Sequence, residues 1–367
     1  MSDQITNYQC PACGGPLHFS DESQDLACDY CDSHFSVADI ETYYEEKDAA
    51  AASAAAEGDT NAWELGSEEA WETETAQMRV YNCPSCGAEL ICEDTTAATT
   101  CPYCGNPNIV PGQLSGMLKP DYVIPFQLDK EAAKAALRQH YKGKRLLPKS
   151  FTRENHLDEI KGIYVPFWLF DGEADADLFY NATRTYTRET HSERIITTEH
   201  YNLRRAGSVR FSRIPVDASS KMPDPHMDAL EPFDYSQMKP FSTAYLPGFF
   251  ADKYDVSVEE SAARADARAE QTVRDIMRSS CTGFESVREV GGDVRLHRGE
   301  VRYALLPVWM LNTTWNGKNF LFTMNGQTGK IVGDLPVDKG RAFAHFAAAA
   351  LIAAAVVAAA VTFLPLM

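Results

Sequence analysis

The sequence predicts a multidomain protein: two small β zinc ribbons, an α+β domain with a mainly antiparallel sheet, and one C-terminal transmembrane helix. Three observations carry that expectation. Eight of the ten cysteines fall into four Cys-x-x-Cys pairs arranged as a duplicated motif. Runs rich in aromatic and β-branched residues, with partial alternation, fill the middle of the chain. Residues 342–364 contain no charged side chain, which suits a membrane span.

The duplication is direct. The segment from Tyr8, YQCPACGGPLHF, returns 73 residues later as YNCPSCGAELIC from Tyr81. Each copy closes with a second knuckle, Cys28-Asp-Tyr-Cys31 and Cys101-Pro-Tyr-Cys104, after the same fourteen-residue gap. Zn²⁺ takes four tetrahedral ligands in structural sites and favours thiolates there. Cys10, Cys13, Cys28 and Cys31 therefore form one expected site in ribbon 1, residues 1–39. Cys83, Cys86, Cys101 and Cys104 form the other in ribbon 2, residues 79–112. Two structural Zn²⁺ ions follow, and four thiolates leave no open position for catalysis. A redox Cys-x-x-Cys or an iron–sulfur cluster fits less well, given identical spacings with Pro and Gly around the knuckles. No secretory signal opens the chain, so the thiols read as metal ligands in a reducing compartment.

Two cysteines stand outside the pattern. Cys92 aligns with Phe19 in the repeat and is expected to fill the ribbon, and Cys281 reads as a small buried residue at a helix end. His18 and His34 lie near site one, but four cysteines already complete the shell, so both read as surface or packing residues.

Charge is uneven along the chain. Residues 1–78 hold eighteen Asp and Glu against one basic residue, Lys47, and so carry −17 of the formal −18. Residues 40–78 are rich in Ala, Glu and Asp with scattered apolar positions, which predicts a flexible or partly helical acidic linker, or an interaction tail. The acidity also weighs against nucleic acid as a partner, because phosphate neutralisation by Lys and Arg supplies most of that affinity. Ribbon 1 has no basic residue through position 38, and ribbon 2 offers Arg79 against Glu89, Glu93 and Asp94.

The α+β domain is expected over residues 120–338. Asp129 caps a short helix to His140 with Ala132, Ala133, Ala136, Leu137 and His140 on one side, and Gly143 stops it. Strands are expected at Gly162–Phe170, Leu178–Arg188, Arg194–Tyr201 and Val209–Ile214. A capping box at Ser257 and Glu260 opens a helix to about Ser279. Strands return at Ala304–Leu311 and Phe320–Met324, and Asn325-Gly326 is expected to turn a hairpin through positive φ. The alternating Asp171, Glu173, Asp175 and Asp177 lack the turn glycine and the bidentate Glu of a calcium loop, so they read as a solvated strand face.

No nucleophile elbow, phosphate loop, metalloprotease helix or dinucleotide fingerprint occurs, and His140, His156, His191, His200, His226 and His297 form no recognisable ligand or triad spacing. The expectation is that the chain is not an enzyme. Residues 342–364 would give roughly 34 Å of helix at about 1.5 Å per residue, enough to cross a bilayer core. Lys339 and Arg341 precede this span and nothing basic follows it, which places the N-terminal body in the cytoplasm of a single-pass cell-membrane protein.

Four segments carry a family resemblance: GIYVPFWLFD (162–171), YLPGFFADKYDV (245–256), LLPVWML (305–311) and MNGQTGKIVGDLPVDKG (324–340). With the ribbons and the terminal span, the chain resembles an uncharacterised bacterial family of tandem zinc-ribbon membrane proteins. These are labelled by analogy with transcription-factor-B or helicase ribbons, and are encoded beside membrane stress proteins of the SPFH and phage-shock-protein-A types. The resemblance implies a membrane-tethered adaptor in envelope-stress maintenance, with membrane and peripheral stress-response proteins as partners. It carries over the eight zinc ligands and no catalytic residue. The competing expectation is a nucleic-acid-binding regulator held at the membrane.

Overall fold

The computed structural model describes residues 8–20, 25–56, 62–69, 71, 78–93, 100–106, 110–112, 118–148, 151, 157–189, 193–315 and 317–363. His156 and His191 lie outside the described residues. Strands are β1 (Leu17–Ser20), β2 (Asp25–Cys28), β3 (His34–Phe35), β4 (Glu64–Leu65), β5 (Met78–Asn82), β6 (Glu89–Glu93), β7 (Val110–Gly112), β8 (Tyr122–Val123), β9 (Lys161–Glu189), β10 (Arg194–Asp217), β11 (Lys239–Pro240), β12 (Phe250–Asp252), β13 (Ser286–Trp315), β14 (Lys318–Asn325) and β15 (Ile331–Gly333). Helices are α1 (Val37–Ala55), α2 (Lys130–Tyr141), α3 (Asp224–Leu230), α4 (Val258–Ser279) and α5 (Lys339–Phe363).

The chain divides into two compact units, Met1–Gly66 with Leu169–Val216 and Val258–Val301, and Ser67–Trp168 with Asp217–Ser257 and Arg302–Met367. The first unit holds the first cysteine repeat as a small three-stranded sheet in the order β1-β2-β3. It also holds the paired β9 and β10, and β13 with β4 alongside it at Glu300 and Val301. In this part of β9 every second residue from Ala174 to Ala182 is buried, the period-2 pattern of a half-buried strand. Helix α4 buries Val258, Ser261, Ala265, Ala269, Val273 and Met277, one side of a helix at three- and four-residue spacing. Arg268 donates to the Pro215 carbonyl at 2.7 Å, and Arg298 pairs with Asp266 at 2.8 Å, so the helix is fastened to β10 and β13.

The alternating carboxylates of β9 do line one face, and each has a cross-strand partner. Asp177 takes a two-pronged bond from Arg204 at 2.7 Å, Glu173 lies 3.9 Å from Arg210, and Asp175 accepts from Ser208 at 2.6 Å. Asp171 accepts the Arg213 backbone N–H at 2.6 Å, and Arg213 sits at φ 59. The run is thus a ladder of two ion pairs and two hydrogen bonds between neighbouring strands.

The described part of the acidic segment is partly helical and anchored. Ser36 caps α1 by accepting from Asp39 N–H at 3.1 Å, and the helix runs for 19 residues with Ile40, Ala51 and Ala55 buried. Arg295 donates to the Ala54 carbonyl at 3.0 Å. Trp63 then meets the edge of Phe170 at 4.8 Å and donates to Asp266 at 2.9 Å. In the second unit Trp71 is buried against Phe241. The described part of the block is held by a few large anchors, which leave no periodic signature in an Ala/Glu-rich stretch.

The second unit contains the second cysteine repeat, and there the repeat joins a larger sheet. Strand order runs β11-β8-β13-β9-β12-β6-β5-β7. The link is β12, parallel to β9 (Phe250↔Ile163) and antiparallel to β6 (Ala251↔Ile91, Asp252↔Leu90). Helix α2 starts at the Asp129 cap, whose carboxylate accepts from Ala132 N–H at 2.7 Å. It lays Ala133 and Leu137 on Trp309, Leu311, Phe322 and Met324 of β13 and β14.

Asn325 turns the hairpin into β15, though by a different device from the one expected. The positive φ falls on Gly329, and neither Asn325 nor Gly326 adopts one. Instead the Asn325 side chain accepts from Gln327 and Thr328 N–H at 2.9 and 3.0 Å, and donates to the carbonyls of Leu230 and Pro232 at 3.0 and 3.3 Å. Asn325→Ala strands these buried groups, so chemical denaturation should show a loss of about 2–3 kcal/mol; a change below about 0.5 kcal/mol would remove Asn325 as the organiser of this turn.

Helix α5 is 25 residues long and fully apolar beyond its first turn except for His345 and Thr362. None of residues 339–358 is buried, and the helix is long and apolar enough to cross a membrane.

Candidate metal centres

Each knuckle is a short turn that points its first cysteine N–H and carbonyl back at the loop. Cys10, Cys28, Cys83 and Cys101 donate to the carbonyls of Gly15, Ser33, Ala88 and Asn106 at 2.6–3.0 Å. The residue after the second cysteine, Gly14, Asp32, Gly87 or Gly105, donates back to the first cysteine's carbonyl at 2.8–3.0 Å. All four of these residues have positive φ, between 55 and 75. Glycine adopts that geometry freely; Asp32 is the one place where a side chain has to tolerate it.

The turns bring the sulfurs together as the spacing requires. Cys10 and Cys31 lie 3.6 Å apart and Cys13 and Cys28 3.4 Å. In the second set Cys83 and Cys104 are 3.6 Å apart and Cys86 and Cys101 3.7 Å. All four sulfurs of each set fall within 4.8 Å of one another. A tetrahedral ion with metal–sulfur bonds of about 2.3 Å sets its ligands about 3.8 Å apart, so either group could hold one metal ion. His18 and His34 turn away to Asp29 and Asp25, at 3.5 and 3.1 Å. Cys92 and Cys281 are buried outside both groups.

The two copies sit in different surroundings. Leu90, Ile91 and Cys92 are fully buried, and Tyr103, in the second knuckle, is 8% exposed. Its hydroxyl donates to Asp252 at 2.5 Å, and Ser219 donates to the same oxygen at 2.6 Å. Asn312 donates to the Tyr103 carbonyl, and Lys161 to Thr100, just before Cys101. In the first copy the equivalent Tyr30 is 77% exposed, and Phe19, the counterpart of Cys92, is 49% exposed. That copy is tied to α1 instead, through Tyr44, whose hydroxyl donates to the Gln9 carbonyl at 2.7 Å. These differences lie in contacts across as many as 209 residues of sequence, and no local pattern announces them.

Asp252 is a key group that no sequence pattern singles out. It is buried under the second repeat, and burial raises its carboxyl to about 7 despite the two hydroxyl donors. Nearby, Lys221 lies 3.0 Å from Asp255 and beside Gly87. A second unanticipated cluster joins His297, Asp175 and Ser208, with His297 Nε2 2.7 Å from Asp175. The carboxylate stands between hydroxyl and imidazole, so the imidazole is not placed to take the serine proton. A cleft of about 370 Å³ in the second unit is walled by Phe126, Phe249, Tyr164 and Tyr245, with Asp129 its one carboxylate.

The position of Asp252 fixes the sign of a pH effect. The folded protein holds this proton at pH values where the unfolded chain, with an ordinary value near 3.8, has lost it. Its contribution to stability is therefore complete below about 4 and is lost as pH rises towards about 7. Urea midpoints measured across that window should fall with pH for the wild type relative to Asp252→Asn. Parallel curves for the two proteins would contradict the buried, proton-holding state.

A Bacillus subtilis (strain 168) relative, described as "Uncharacterized protein YdjG", is 36% identical over 321 residues, covering 74% of this chain and 94% of the relative. No family model matches the chain. No solved structure matches it either.

Proposed function

The chain belongs to the family of the Bacillus subtilis protein YdjG, and we propose that it is a membrane-anchored zinc-ribbon adaptor that assembles partner proteins at the cytoplasmic face of the membrane. In this reading the two four-cysteine groups are zinc ribbons, each holding one structural Zn²⁺, and α5 is the span. Lys339 and Arg341 at its start keep the body on the cytoplasmic side. The partners are membrane or peripheral proteins of envelope-stress maintenance.

The observation that carries the reading is the contrast between the duplicated modules. The second uses its apolar side and Tyr103 to pack within its own unit. The first leaves Phe19 and Tyr30 exposed at 49% and 77%, and Tyr43 of the following helix α1 is 40% exposed, within a segment, residues 1–78, with one basic residue against eighteen acidic ones. Exposed large aromatic side chains in an acidic setting suit a surface held for a partner, and the acidity favours a basic partner surface over a phosphate backbone.

Affinity capture of the full-length protein from gently solubilised native membranes tests this. A reproducible set of membrane and peripheral proteins should copurify. That set should drop out with Phe19→Ala/Tyr30→Ala, while bound metal is unchanged. Recovery of nucleic acid and its machinery, or an unchanged partner set with that variant, would overturn the adaptor reading.

A further inference from the structure

One motif in two environments allows the environments to be compared directly. Resting on the zinc assignment above, we propose that the first ribbon is an exchangeable, thiol-reactive zinc centre, whereas the second is a permanent structural one.

Ligand access differs first. Cys10 and Cys28 are buried, but Cys13 and Cys31 are exposed, while Cys83 and Cys101 are buried and Cys86 and Cys104 are half-buried. A competing chelator must reach the metal, and an electrophile must reach sulfur. In the first ribbon two of the four ligands are open to both.

Charge differs second. Zn²⁺ with four thiolates is formally −2. In the second unit two lysines lie close to the knuckles: Lys161 donates to the Thr100 carbonyl, just before Cys101, and Lys221, paired with Asp255, lies beside Gly87, just after Cys86. Residues 1–38 contain no Lys or Arg, and among the described residues the Ser33 hydroxyl lies 3.2 Å from Cys31. Thiolates without a nearby cation keep more electron density on sulfur, which makes them better nucleophiles and more readily protonated away from the metal.

Coupling to the fold differs third. Removing metal from the second site disturbs β6, which is paired to β12, and the Tyr103–Asp252–Ser219 cluster. The first site disturbs three short strands of four, four and two residues. The first ribbon can therefore open while the second unit stays folded, so its exposed docking face would depend on zinc occupancy. An alkylating agent would act at the same place: the sulfur lone pair of Cys13 or Cys31 attacks carbon, the carbon–halide bond breaks, halide leaves, and the neutral thioether no longer balances the metal's charge.

The experiment uses the full-length protein in detergent, loaded with zinc, counted by elemental analysis and then mixed with excess chromophoric chelator. Two equivalents should be bound, one leaving fast and the second roughly tenfold or more slowly. Iodoacetamide with mass mapping should label Cys13 and Cys31 first. Cys13→Ser/Cys31→Ser should retain one equivalent and only the slow phase. Lys161→Met/Lys221→Met, which leaves all eight ligands in place, should speed the slow phase by roughly tenfold. Two equivalents released in a single phase, or a fast phase that survives Cys13→Ser/Cys31→Ser, would overturn the proposal. Fewer than two equivalents at the start would instead overturn the zinc assignment beneath it.

Discussion

Asp252 is sealed from water beneath a cysteine knuckle, with the hydroxyls of Tyr103 and Ser219 converging on one of its oxygens. A lone carboxylate is costly to bury, and the arrangement is tolerable because it is hydrogen-bonded and near neutral. Around it, β12 joins the second repeat to β9 by backbone bonds on both sides. The sheet of the second unit therefore continues into the cysteine module. The metal-binding turns, whose geometry depends on four sulfurs meeting at one point, form the end of that sheet.

The first repeat shows what the same local sequence does without that support. Its knuckles have the same hydrogen bonds and the same positive-φ positions, with Asp32 where the others have glycine. Yet Tyr30 and Phe19 face solvent where Tyr103 and Cys92 are covered. Local structure follows from the Cys-x-x-Cys turn chemistry, whereas burial, charge balance and availability to partners follow from what packs on the turn. A duplicated motif can in this way give one module that completes a domain and one whose aromatic side chains stay exposed.

Much of this was legible in the sequence for identifiable reasons. The eight cysteines come together because knuckle spacing is a local constraint. The α2 cap at Asp129, the face of α4 and the apolar α5 followed from period and capping. The run from Asp171 to Asp177 reads as a strand face, but that it joins the flanking pieces into one long β9 is not legible, because its partners on β10 lie 27 to 42 residues away. The sequence places Asn325 in the turn for its backbone, whereas its side chain does the organising. Asp252, Ser219 and the anchoring of Trp63 and Trp71 depend on tertiary contacts, for which the sequence carries no period or spacing.

The most direct test of the account is hydrogen exchange on the full-length protein before and after metal is stripped from the second site. Amides of β6, β12 and the adjoining start of β9 should lose protection together, because the metal, the Tyr103–Asp252 bond and the sheet edge form one cooperative element. Protection of β12 and β9 that survives metal removal would show that the sheet ends without the module, and would contradict the central claim.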